Sequence, residues 1–168
     1  MAGNGTIGLE ILEDLPDVDA VLIPWGGGGL TCGIASALKA TKPGTRVIAV
    51  EPSTGAPLTA SLAAGESLAV DYRASFVDGS GSRALLPKMW GLAQELVDGA
   101  VAVSLEETAT AVRLLAERAR VVAEGAGALS LAAARAGHGG TGKVVCIVSG
   151  GNIDASRLVK ILDGETPA

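Results

Sequence analysis

The chain is predicted to be an α/β protein in which a mostly parallel sheet carries helices on its faces, and three observations predict it. Short apolar runs alternate along the chain with stretches of helical character. Two of those runs end directly in glycine-rich loops, Gly26–Gly29 and Gly150-Gly151, the pattern of strands whose C-terminal ends meet at one edge. The composition suits close helix-on-sheet packing, with 24 glycines, 48% apolar residues and few aromatics among 168 residues.

In order, a short helix is expected at 7–14 with Thr6 as its N-cap. Ala20 to Pro24 reads as a buried strand running into the tetraglycine, and a helix follows from Leu30 to Ala40. Arg46 to Val50 is the next strand, then comes a helix at 56–64 with Gly65 as its C-cap. Residues 66–87 are polar and turn-rich. A helix at 88–97 leads to a strand at 100–103, and Ser104 with Glu107 forms an S-x-x-E capping box opening a helix to Arg120. Thr108, Val112, Leu115 and Ala119 give that helix one apolar face. A helix at 126–136 ends at Gly137, and a last strand, Val144 to Val148, stops at Ser149-Gly150-Gly151-Asn152. No internal repeat or linker divides the chain, so its length suits one domain.

The formal charge of -5 and the lack of a basic stripe or aromatic stacking set exclude nucleic acid and acidic membrane surfaces as partners. No run approaches the roughly 18 apolar residues of a membrane span. Met1 leads straight into Ala-Gly-Asn-Gly-Thr without a basic or apolar leader pattern, and Cys32 and Cys146 read as buried free thiols. Both observations suit a reducing, cytoplasmic setting. High apolar content (mean hydropathy +0.42) without a span suggests either a domain buried on both faces or a piece whose covering partner lies elsewhere.

An anion site must therefore be built from backbone. Gly26, Gly27, Gly28 and Gly29 follow a buried strand and open a helix, where N–H groups and the helix dipole both favour negative charge. Lacking every Cβ, four glycines let a phosphate reach the peptide N–H groups. The loop is neither G-x-G-x-x-G nor a Walker loop, because Leu30 and Thr31 follow it. Ser149 to Asn152 ends another strand, so both loops should face one crevice.

These loops and the motifs between them resemble the fold-type II pyridoxal-phosphate enzymes, nearest to threonine/serine dehydratases and serine racemase. Ala2-Gly3-Asn4-Gly5-Thr6 is similar to the family's AGQGT, Gly26–Leu30 to its GGGGL, and Val50-Glu51-Pro52 to its VEP. Val77-Asp78-Gly79 is similar to its ADG, Glu124-Gly125-Ala126-Gly127 to the EGAG of its EGAGA, and Ser149–Asp154 to its SGGNID. The resemblance implies part of a doubly wound, mostly parallel sheet of the tryptophan synthase beta-like kind, with residues 1–168 forming the C-terminal portion of the cofactor-binding large domain. It implies pyridoxal 5'-phosphate as cofactor, its phosphate on the N–H groups of Gly26, Gly27, Gly28, Gly29 and Leu30. Ser149 would hydrogen-bond the pyridine nitrogen, Gly79 would lie against the ring, and Glu124 would support the site near the ring edge. The implied reaction is β-elimination of water from a small hydroxy amino acid such as threonine or serine, giving a 2-oxo acid.

Two departures qualify that reading. The family's Schiff-base lysine stands in an S-x-K-x-R-G-type segment, and Lys39, Lys42, Lys88, Lys143 and Lys160 occupy no such context. No catalytic residue is therefore assigned here, and the chain is expected to be inactive without an N-terminal segment or a second subunit. Lys39, Lys42 and Lys143 read as solvated. Some relatives also hold a divalent cation after the VEP strand; Glu51 and Gly55 match two of its ligands, but Pro57 stands where an acid is needed. The other reading of Glu51 is a carboxylate bonded to nearby N–H groups. His138, the one histidine, reads as a loop residue, which disfavours zinc and hydrolytic triads. Competing with the lyase are a non-catalytic, partner-dependent half-domain and a nucleotide-binding domain using Glu51, 22 positions beyond Gly29, for a ribose. Part of a wound sheet should also expose a strand edge, favouring a homo-oligomer.

Overall fold

The computed structural model describes residues 1–168. Its sheet has four parallel strands in the order β3-β2-β1-β4, with β1 at Ala20–Pro24, β2 at Arg46–Pro52, β3 at Gly99–Val103 and β4 at Val144–Cys146. The helices are α1 (Ala2–Asp14), α2 (Gly29–Thr41), α3 (Pro57–Ala64), α4 (Pro87–Leu96), α5 (Leu105–Leu114), α6 (Gly125–Arg135) and α7 (Ala155–Leu162). Both β1 and β2 are covered on two sides, which is why they read as unbroken apolar runs. Their alternation sorts the core. Val21, Ile23 and Val47 pack with Ile34, Ala35 and Leu38 of α2, whereas Leu22, Ile48 and Val50 pack with Val112 of α5 and Leu129 of α6. A third cluster joins Trp25, Cys32 and Ala49 to Leu58 of α3 and Met89 of α4.

The expected fold class is the observed one, and several element bounds are corrected. The first helix begins at Ala2, with Met1 as N-cap, and Thr6 lies inside it, donating its hydroxyl to the Gly3 carbonyl at 3.0 Å. Gly5 and Gly8 allow α1 to lie close against α2: a Cβ on Gly8 would stand 2.9 Å from the Ile34 carbonyl oxygen. β2 runs on to Pro52 because Glu51 and Pro52 pair with Ala102 and Val103. β4 stops at Cys146, opposite Leu22, rather than at Val148. The capping box is present as expected, Ser104 Oγ accepting from Glu107 N–H and the Glu107 carboxylate accepting from Ser104 N–H. Its helix ends at Leu114 in a π-turn over Leu115–Ala119, and Ala119 is exposed rather than on the apolar face.

Both cysteines are free thiols; Cys32 is buried, and burial pushes its pKa up to about 11, while Cys146 is half-buried with its pKa also raised by burial. No helix is long and apolar enough to cross a membrane. Because all four strands run parallel, the C-terminal ends of β1, β2, β3 and β4 lie at one edge of the sheet.

Candidate cofactor-phosphate site

At that edge β1 passes through Trp25 into the tetraglycine, and Trp25 N–H still donates to the Val50 carbonyl at 2.8 Å. The glycines do different jobs. Gly28, the N-cap of α2, has φ +82, and a Cβ there would lie 2.6 Å from Trp25 Cη2 and 2.8 Å from Met89 Cε. Gly27 and Gly29 face open space, with nothing within 4 Å of a Cβ. No backbone acceptor of the chain takes the N–H groups of Gly26, Gly27 or Gly28. Gly29 and Leu30 begin α2, so their N–H groups have no partner within the helix. Five N–H donors at the N-terminus of a 13-residue helix, with room in front of them, fit a phosphate.

Two further loops close on this one. Gly26 lies against the 78–82 loop, a Cβ on it coming 3.1 Å from the Gly79 carbonyl oxygen. The Ser80 hydroxyl donates to the Trp25 carbonyl and ties the same loop down. Glu124, at the N-cap of α6, acts as a clasp. Its Oε2 accepts from Asn152 N–H at 3.0 Å, its own N–H donates to the Gly150 carbonyl at 3.1 Å, and its Oε1 would be 3.0 Å from a Cβ on Gly79. The Ser149 and Gly150 carbonyls press on Gly127, where no side chain could fit, and Ser130 Oγ donates to the Ile147 carbonyl at 2.6 Å. Ser149 is half-buried at this junction.

The structure thus brings together Gly26, Gly27, Gly28, Gly29, Leu30, Gly79, Glu124 and Ser149 around the ends of β1 and β4, an arrangement able to hold a phosphorylated ring with the phosphate at one end and a neutral hydroxyl at the other. Glu51 is not among them. Buried at the end of β2, its Oε1 accepts from Leu58 N–H at 3.0 Å and its Oε2 from Thr59 N–H at 2.7 Å and Thr59 Oγ1 at 2.8 Å. It caps α3, and burial raises its pKa while those three donors oppose the rise. The reading of Glu51 as a carboxylate on nearby N–H groups is what this geometry displays. Both carboxylate oxygens are engaged by α3, and Pro57 brings no side-chain oxygen beside them.

The lysines hold loops. Lys39 pairs with Asp98 at 2.6 Å and donates to the Thr45 carbonyl at 3.0 Å; Lys42 donates to the Pro16 and Val18 carbonyls; Lys143 pairs with Asp17. Lys143 remains solvated as expected, with its side chain 53% exposed, while Lys39 and Lys42 are part-buried by the carbonyls they hold. Lys88, Lys160 and His138 are exposed.

Sequence reasoning missed Trp25, the Ser80 tie and the Arg157–Asp78 pair (2.8 Å) that anchors the 78–82 loop to α7. A tryptophan wedged between strand and glycines was the one available signal, since the chain has only two.

Comparison with known proteins agrees with this geometry. A family model described as pyridoxal-phosphate dependent enzyme matches residues 1–150. The L-threonine ammonia-lyase of Thermotoga maritima is 43% identical over 164 residues, covering 97% of this chain and 41% of its own. The catabolic L-threonine dehydratase of Escherichia coli (strain K12) is 43% identical over 165 residues, covering 96% and 50%. Among solved structures, the processed form of threonine deaminase isoform 2 from Solanum lycopersicum superposes with a TM-score of 0.87 at 35% identity, over 96% of this chain and 46% of that one. Maize serine racemase gives 0.85 at 33%, over 94% and 52%. The chain spans two fifths to one half of the curated relatives it matches. By its matched residues, the chain belongs to the family of pyridoxal-phosphate-dependent enzymes.

Proposed function

We propose that this chain is the C-terminal portion of the cofactor-binding large domain of a lyase that removes water from threonine or serine, yielding a 2-oxo acid and ammonia. The observation that carries this reading is the unengaged N–H array of Gly26 to Leu30 beside a Ser149–Asn152 loop clasped by Glu124. Relatives named for threonine ammonia-lyase and dehydratase activity support the substrate class.

The five N–H groups and the α2 dipole hold the phosphate without a cationic side chain. Bound pyridoxal phosphate supplies the electron withdrawal that loosens the Cα proton. Ser149, a neutral hydroxyl, would donate to an unprotonated ring nitrogen of the bound cofactor, whereas a carboxylate there would keep that nitrogen charged. The weaker withdrawal favours loss of the β-hydroxyl over transamination. Glu124 ties the loop after Ser149 to the start of α6 through Asn152 and Gly150, and its carboxylate lies close to Gly79. The proton-transferring lysine comes from a segment or subunit outside these residues.

The test is a titration of the complete gene product with pyridoxal phosphate, followed by a 2-oxo acid assay with threonine and serine. Visible cofactor absorption together with 2-oxo acid release is expected. Phosphate-dependent cofactor binding without turnover would replace the lyase by a non-catalytic binding module, and failure to bind would remove both.

A further inference from the structure

Beside the phosphate cradle lies a cleft of about 280 Å³. It shares Gly26, Gly27 and Gly79 with the cradle but is not lined by Gly28, Gly29, Leu30, Glu124 or Ser149, so it opens from the cradle's flank. Its other wall is apolar: Trp25, Leu85, Leu86 and Met89. Leu86 is 61% exposed at the start of α4, an unusual place for a large apolar side chain unless something covers it. The one charged group lining the cleft is Asp78, and Arg157 engages it at 2.8 Å. The volume is near the lower end of small-molecule pockets (about 300 Å³), too small for a peptide and larger than a methyl group requires.

We propose that this cleft receives the β-substituent of the amino-acid substrate and favours β-hydroxy amino acids whose Cβ bears an alkyl group longer than the methyl of threonine. The inference rests on the lyase reading above and names its substrate class. Each methylene laid on the wall of Leu85, Leu86 and Met89 leaves water, worth on the order of fourfold in affinity. A carboxylate on Cβ meets an apolar wall with no cation lining the cleft, and Arg157 is already engaged by Asp78, so 3-hydroxyaspartate is excluded. The wall is held in place from beneath: Met89 is 8% exposed, and Trp25, 1% exposed, packs against both Gly28 and Met89.

The experiment compares kcat/KM of the complete gene product for serine, threonine, 3-hydroxynorvaline and 3-hydroxyaspartate, alongside Leu86→Ser. Leu86 is largely exposed, so this variant keeps the fold. In parallel, the dissociation constants of the unreactive analogues alanine and norvaline are read from tryptophan fluorescence, and cofactor affinity is measured for both proteins. The expected result is efficiency rising from serine through threonine to 3-hydroxynorvaline, no turnover of 3-hydroxyaspartate, and norvaline binding several-fold tighter than alanine. Leu86→Ser should flatten both series and leave cofactor affinity unchanged. A fall in efficiency at 3-hydroxynorvaline, or a loss of cofactor affinity in Leu86→Ser, would overturn the proposal, the latter because the cleft would then hold the cofactor itself. If none of the hydroxy amino acids is deaminated, the lyase reading falls, and the norvaline-to-alanine ratio alone decides the cleft.

Discussion

Gly27 and Gly28 are neighbours of the same type with opposite duties. At Gly28 the backbone is left-handed and the space is filled, so Gly28→Ala combines roughly 1–2 kcal/mol of backbone strain with a collision against Trp25 and Met89. Thermal unfolding should show it as a clear drop in Tm, at roughly 2–4 °C per kcal/mol for a chain of this size. At Gly27 a methyl meets nothing within 4 Å, so Gly27→Ala should unfold at the wild-type temperature. Its methyl would stand where a phosphate approaches, and cofactor affinity should fall about tenfold or more, measured by equilibrium titration. An unchanged affinity would move the phosphate away from this loop. The tetraglycine was conspicuous in the sequence, but which glycine shapes the chain and which faces the ligand was not, because that depends on Trp25 and Met89 arriving from other elements.

Among the elements, α3 shows how a motif can be read correctly while its duty stays open. Eight residues make a weak helix alone, and the buried Glu51 carboxylate supplies the acceptors its first turn lacks. Glu51→Gln leaves a buried amide N–H₂ facing donors, which should cost about 1–3 kcal/mol in denaturant unfolding. The pH dependence has a definite sign. Burial raises the Glu51 pKa in the folded state, so folding takes up a proton. That contribution is complete below the unfolded-state pKa and is lost as pH rises through the raised folded-state value. The stability difference between wild type and Glu51→Gln should therefore shrink across that window; a difference growing with pH would mean the α3 donors outweigh burial. The capping box of α5 was legible because Ser104 and Glu107 act on their own helix. The start of α1 was not, because Gly5 and Gly8 are explained only by α2 lying against them.

For the whole molecule, the sheet order leaves β4 and β3 as edges. β4 is short and half-buried, and Val121, Val122 and Val148 stand exposed near its end. An uncovered strand edge beside apolar side chains invites pairing. Sedimentation velocity of the 168-residue chain should show concentration-dependent association. Val148→Lys combined with Val122→Lys should shift it towards monomer without loss of helical circular dichroism. A monomer at every concentration would show that the edge protects itself.

The sequence by itself determined the α/β class, the strand and helix order, the family, and the position of the glycine loop between β1 and α2. Each of those rests on local patterns: apolar runs, turn residues, caps and a helix N-terminus. Only the tertiary structure decided that the Glu51 carboxylate accepts from the first turn of α3, that Glu124 bonds the Ser149–Asn152 loop, and that Trp25 with Leu85, Leu86 and Met89 walls a cleft beside the glycine loop. These contacts join residues tens of positions apart, and their geometry follows from which strand ends the parallel sheet brings to the same edge.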